Sequence, residues 1–194
     1  MVITHYGNGA FRMQSGETVL LLNSGNDRLK ADVILSTLAG TATNTLLSDA
    51  TDAGTKISFP GEYEVRGIEV DGFPIVAESS EAFIKTAYKV FFEDMTFVFL
   101  GHLSQPLDAT LMEEFSEPDV LILPVGGGHF LEPEVAAKIA KQLEAKVVIP
   151  SFAKNTDDFL KALGRKADVM EKFVFRQKDI AEEKGRPVVL KEVK

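Results

Sequence analysis

Short apolar runs separated by polar breaks pattern this chain, and their character changes midway. In the N-terminal half the runs read as strands. Met1 to Tyr6 predicts a strand carrying Val2 and Ile3, and Tyr6-Gly7-Asn8-Gly9 predicts a turn, because Gly and Asn tolerate positive φ. Phe11 to Met13 and Thr18 to Leu22 form a hairpin across Gln14-Ser15-Gly16. After the polar loop Asn23 to Lys30, Val33-Ile34-Leu35 reads as a buried strand ending at Ser36-Thr37. Thr41 to Lys56 is Thr-, Ser- and Asp-rich and predicts a loop with a short helix at Thr45 to Ala50. Pro60-Gly61 then sets a tight turn before the strand residues Tyr63, Val65, Ile68 and Val70, with Gly67 at a hairpin turn or bulge. Ser79 to Lys85 reads as a connection, and Tyr88 to Glu93 with Met95 to Leu100 as a hairpin across Glu93-Asp94.

In the C-terminal half helical spacing alternates with buried strands. Asp108 suits an N-cap for a helix to Phe115, with Leu111, Met112 and Phe115 on one face. Val120 to Val125 is a buried strand. Pro133 opens a helix to Leu143, with Val135, Ile139 and Leu143 four apart. Val147 to Pro150 is another buried strand, and Thr156 caps a helix that stops at Gly164. Val169, Phe173 and Val174 predict a closing strand, and Pro187 to Leu190 a late one. Hairpins early and strand-helix units late predict an α/β layered fold, expected to be a single domain over 1–194.

Composition narrows the function classes. The formal net charge of -8 argues against nucleic-acid binding and attraction to anionic membranes. The absence of cysteine removes disulfides, thiolate metal sites and Cys nucleophiles, and fits a reducing, cytoplasmic setting. No run reaches membrane-spanning length, since Glu93 and Asp94 break Phe91 to Leu100.

The candidate chemistry gathers after the strands. The Val33 strand runs into a loop of small residues, Ala39-Gly40-Thr41-Ala42-Thr43-Asn44, where α/β proteins place active sites. His102 and His129 each follow a predicted buried strand, so both are expected at one end of a sheet. His5 reads as a packing residue. Gly126-Gly127-Gly128 before a helix could cradle an anion, although the Lys-Ser/Thr of a phosphate loop is missing. Asp49 and Asp52 are weak oxygen ligands or, more simply, solvated loop carboxylates.

Ala31-Asp32-Val33, Pro60-Gly61-Glu62-Tyr63-Glu64-Val65-Arg66-Gly67, Leu100-Gly101, Asp119 to Gly128 and Val147 to Pro150 carry a family likeness. Together they resemble the metallo-beta-lactamase fold hydrolases, especially their small bacterial zinc-dependent subgroup. The resemblance implies a four-layer α/β/β/α sandwich with two mixed sheets. It places the family's His-x-His-x-Asp-His zinc ligands on Leu38, Gly40, Ala42 and Thr43, the metal-bridging Asp on His102, and the last ligand His on Phe152. A Gly-His subsite of the family falls on Ser104-Gln105. A turn His falls on Asn8, and an Asp on Asn23. Apart from His102 these positions lack imidazole, thiolate or carboxylate donors, which zinc requires. The resemblance therefore implies a hydrolase scaffold with a degenerate metal site: no metal cofactor, no catalytic residue, and a role in binding a small molecule or protein. The pocket candidates are Asn8, Asn23, Asn44, Glu62, Tyr63, Gly126, Gly127 and His129. The alternative is a zinc- or manganese-dependent hydrolase of esters, lactones or phosphoesters, rebuilt around His102 and His129 with Glu62 or Asp49. A homo-oligomer is compatible with either reading.

Overall fold

A computed structural model describes residues 1–25, 29–41, 48–51 and 54–193, with side chains described outside 48–51. In chain order the strands are β1 (Val2–His5), β2 (Phe11–Ser15), β3 (Thr18–Leu22), β4 (Val33–Leu35), β5 (Leu38–Gly40), β6 (Ser48–Thr51), β7 (Gly54–Ile57), β8 (Gly61–Val65), β9 (Ile68–Pro74), β10 (Phe83–Phe92) and β11 (Met95–Phe99). Then come α1 (Ala109–Glu114), β12 (Val120–Pro124), α2 (Pro133–Gln142), β13 (Val147–Ser151), α3 (Asp157–Leu163), β14 (Asp168–Met170), β15 (Lys172–Val174), α4 (Gln177–Ile180) and β16 (Arg186–Leu190).

Two mixed sheets face each other. The first runs β15-β1-β2-β3-β4-β7-β6, and the second runs β14-β16-β13-β12-β11-β10-β9-β8 with β5 added beside β10. Strand alternation explains the layering. Phe97 and Phe99, Val120 and Ile122, and Val147 and Ile149 pack inward with Phe11, Met13, Leu20 and Leu35 of the first sheet. The residues between them, Val98, Leu121 and Val148, face outward to Phe115, Ala136, Ile139, Ala140 and Phe159 of the helical layer. This is the expected sandwich of two mixed sheets. Among the described residues α1, α2 and α3 cover the outer face of the second sheet.

Local chemistry sets the element ends. The Asp108 carboxylate accepts from the Leu111 amide at 2.9 Å and caps α1. α3 ends at left-handed Gly164, as expected, but Thr156 makes no side-chain cap. The Asn155 side chain accepts from the Asp157 amide instead. The β8–β9 and β10–β11 hairpins turn on Arg66-Gly67 and Glu93-Asp94, each a pair of positive-φ residues. Such two-residue turns match the twist of the strands they join.

Three expectations need correction. The predicted helix at Thr45 to Ala50 meets strand β6 over its end, while 42–47 lie outside the described residues. The predicted connection Ser79 to Lys85 is in part the start of β10. Leu38 to Gly40, expected in a loop, forms β5, with Leu38 opposite Lys85, Ala39 opposite Ile84 and Gly40 opposite Phe83. β6 forms by pairing antiparallel with β7, whereas the other two corrections share a physical reason: β10 extends past its pairing with β11, and its free edge recruits the chain leaving β4.

Candidate functional site

The site forms where the chain crosses from the first sheet to the second. Thr37 is the crossing point: its amide donates to Asn23 Oδ1 at 2.9 Å, and its carbonyl accepts from the Thr86 amide of β10 at 3.0 Å. The fully buried Thr37 hydroxyl also lies 2.9 Å from Asn23 Oδ1 and 2.7 Å from His102 Nδ1. Gly101 makes this approach possible, since a Cβ there would sit 2.2 Å from the Thr37 side chain. Asn23 holds a left-handed φ of 50°, the turn role expected of it, and its side chain anchors Thr37 as well.

His102 is half-buried. Burial, and secondarily the Lys85 charge, push its imidazole below the usual histidine range, so it is neutral at neutral pH. Lys85 donates to the His102 carbonyl at 2.7 Å and to Glu78 Oε2 at 2.6 Å. Glu78 also accepts from the Ser104 hydroxyl at 2.6 Å and from the amides of Ser104 and Gln105. Burial raises the Glu78 pKa, but these donors, led by Lys85, outweigh it and hold the carboxyl below the usual range. Side-chain exposure of 15% for Lys85 and 4% for Glu78 makes this a buried, satisfied ion pair. Sequence reasoning missed it, because Glu78 and Ser104 meet across 26 residues with no spacing to signal the contact.

The other side of His102 is apolar. Phe152 stacks on Phe130 with centroids 4.4 Å apart and lies 4.8 Å from the His102 ring. Its backbone is left-handed at φ 53°, a costly conformation for a bulky residue. The opposite wall is Gly9, where a Cβ would fall 2.2 Å from the Phe152 ring. The rings pack together against this backbone, as apolar side chains in a protein interior do.

The structure gathers some predicted site residues and separates others. Asn23 and His102 share one hydrogen-bonded chain through Thr37. Gly126 lies against the Phe152 carbonyl. β11 and β12 are parallel neighbours, so the loops carrying His102 and His129 leave the sheet at the same end, as expected. His129 is exposed there, and Asn8 is an exposed turn residue with φ 47°. The Gly128 amide already bonds the Glu132 carboxylate at 3.1 Å, so the chain supplies its own anion to the glycine loop. Glu62 is exposed on β8, three strands from β11. The Tyr63 hydroxyl donates to the carbonyls of Phe59 and Pro60. His5 stacks on Phe11 with centroids 4.6 Å apart, in keeping with a packing role. Ala42, Thr43, Asn44 and Asp52 lie outside the described residues, as does the Asp49 side chain. A cleft of about 560 Å³ opens at the other end of the second sheet, between Lys141, Lys146, Arg165 and Gly185, and touches none of these groups.

Comparison with known proteins places this geometry in a family. Residues 2–151 match the model of the beta-lactamase superfamily domain. The chain belongs to that superfamily, on the metallo-beta-lactamase fold. A Thermotoga maritima protein provisionally described as a Zn-dependent hydrolase of the metallo-beta-lactamase superfamily is 25% identical, with a TM-score of 0.78 over 100% of this chain and 99% of its own. A Methanopyrus kandleri metal-dependent hydrolase is 28% identical over 103 residues, 49% of this chain. That match spans 45% of the relative's length. The Ignicoccus hospitalis metallo hydrolase Igni18 shares the fold, with 20% identity and a TM-score of 0.64 over 90% of this chain and 99% of its own.

The superfamily relatives imply a metal, so the residues present must be tested for one. Leu38 and Gly40 are fixed in a strand ladder with β10, and the Phe152 ring fills its position by stacking. Among the described residues no group of three His, Cys, Asp or Glu side chains could hold a metal ion. Among the described residues the donor set does not fit the implied metal.

Proposed function

We propose that this chain is a non-catalytic member of the metal-dependent hydrolases of metallo-beta-lactamase fold, acting as a binding module for a small molecule or protein. The observation supporting this reading is packing at the positions in question: β5 is zipped onto β10 where the resemblance places ligands, and Phe152 stacks on Phe130 where it places the last one. A zinc-bound water supplies hydroxide near neutral pH, and among the described residues no group at the site replaces that nucleophile. His102 has a hydroxyl rather than a carboxylate on Nδ1, so it is no part of a Ser-His-carboxylate triad.

A second reading, a hydrolase rebuilt around His102 and His129, draws on one observation: a neutral His102 imidazole suits metal binding. It requires further donors to join His102. Metal analysis of His102→Ala separates the two readings. Stoichiometric zinc or manganese in the parent, lost in the variant together with esterase, lactonase or phosphodiesterase turnover, supports the second. Absence of bound metal in both, after zinc dialysis, supports the first.

A further inference from the structure

Hydrogen-bond chemistry at Thr37 determines which nitrogen of His102 carries the proton. The Thr37 amide can only donate, so the Asn23 atom it meets at 2.9 Å is the carbonyl oxygen. That orientation also turns the Asn23 amide nitrogen to the Gly9 carbonyl, 3.5 Å away. Asn23 Oδ1 is therefore an acceptor, and it lies 2.9 Å from the Thr37 hydroxyl. Two acceptors would repel at that distance, so the single hydroxyl proton points to Asn23. The Thr37 oxygen then has only lone pairs for His102 Nδ1 at 2.7 Å, and the proton of that contact belongs to the ring. A neutral imidazole with its proton on Nδ1 leaves Nε2 with a bare lone pair.

We infer that Asn23-Thr37-His102 is a fixed relay presenting His102 Nε2 as a hydrogen-bond acceptor, and that this site takes an uncharged ligand with an aromatic body and an N–H or O–H donor. This inference rests on the reading of the site as working without metal. Two further features select the ligand class. Lys85, the cation that bonds the His102 carbonyl, is committed to that carbonyl and to Glu78, so its charge is not free for an anion. Phe152 is already stacked on Phe130 and abuts Gly9, so the half-buried Phe130 ring, 6.0 Å from the imidazole between centroids, is the stacking partner for a flat ligand. His102 is itself half-buried, and its Nε2 is not among the buried, partnerless side-chain atoms of the described residues.

Long-range proton–nitrogen NMR of histidine-labelled, metal-free protein at neutral pH tests the relay. Free imidazole side chains favour the Nε2–H form, so the expected Nδ1–H pattern at His102 is distinctive; the spectrum of His102→Asn assigns the signal among three histidines. Thr37→Val is expected to return His102 to the Nε2–H form, and Thr37→Ser to keep Nδ1–H. An Nε2–H pattern in the parent overturns the relay, and the parent and Thr37→Ser spectra decide the question even if Thr37→Val does not fold. For the ligand class, indole and 1-methylindole are titrated into the same sample. Indole is expected to shift His102 Nε2 and 1-methylindole to leave it in place, with inorganic phosphate also without effect. Equal responses to the two indoles, no response to either, or a response to phosphate overturns the assignment. Zinc uptake by the parent sinks the metal-free reading while leaving the tautomer measurement intact, so the two failures are distinguishable.

Discussion

On one side of His102 a carboxylate, an ammonium and a hydroxyl are bonded to one another and to backbone; on the other, two phenyl rings and a glycine touch. Each side includes a position that the superfamily resemblance associates with the metal site, Ser104-Gln105 on the polar side and Phe152 on the apolar side. On the polar side Glu78 and Lys85 satisfy each other and pin Ser104, Gln105 and the His102 carbonyl. On the apolar side Phe152 accepts a strained backbone to stack on Phe130 over Gly9. The contrast teaches that the two sides of one histidine are stabilised in different ways. Buried charge demands partners, whereas volume demands only close packing.

Breaking the polar side should cost the most. Glu78→Gln leaves Lys85 buried without its counter-charge, and a loss of about 3–5 kcal/mol is expected in urea unfolding. Glu78→Gln combined with Lys85→Met should cost less than the sum of the single changes. Strict additivity would show that the pair is not coupled. On the apolar side, Gly9→Ala places a methyl group into the Phe152 ring at a left-handed φ of 69°, and a loss of about 1–3 kcal/mol is expected. Phe152→Gly in the same chain should recover part of it, because it removes both the clash and the strained side chain. Thr37→Val, at the seam between the two sides, removes partners of Asn23 and His102 and should cost about 1–3 kcal/mol.

The pH dependence should be smaller and of known sign. His102 and His5 are both pushed down, by burial first in each case. The unfolded chain therefore binds protons that the folded chain refuses, once pH drops below the ordinary histidine range of about 6.5. Their contribution is complete at neutral pH and falls as pH falls. The depressed Glu78 acts in the same direction at lower pH: its contribution is present above the ordinary carboxylate range and is lost as pH drops through its folded value. Melting temperature should fall from pH 7 to 5, and less steeply in His5→Phe, which removes one of the two imidazoles.

Much of the fold was legible because alternation and turn chemistry act locally. Val120-Leu121-Ile122-Leu123 reads as a strand buried on both faces, and it is one. Arg66-Gly67 and Glu93-Asp94 announce their hairpins through the residues themselves. β5 was not legible, since Leu38-Ala39-Gly40 has no strand signature and takes its conformation from β10. Part of the site could be read: His102 and Asn23 were candidates, and the residue types Leu38, Gly40 and Phe152 at the positions the resemblance gives to ligands stand in the sequence itself. Thr37, Glu78 and Lys85 were missed as site residues, because their roles exist only once two sheets meet. Glu62 and Tyr63 were drawn in by a strand motif whose side chains serve the β8 edge and its preceding turn.

The central claim is that packing and hydrogen bonds have replaced metal ligation here. Elemental analysis tests it most directly, on protein stripped with chelator and then dialysed against zinc and, separately, manganese. The account predicts less than about a tenth of an equivalent of either metal. About one equivalent, lost in His102→Ala, would contradict it.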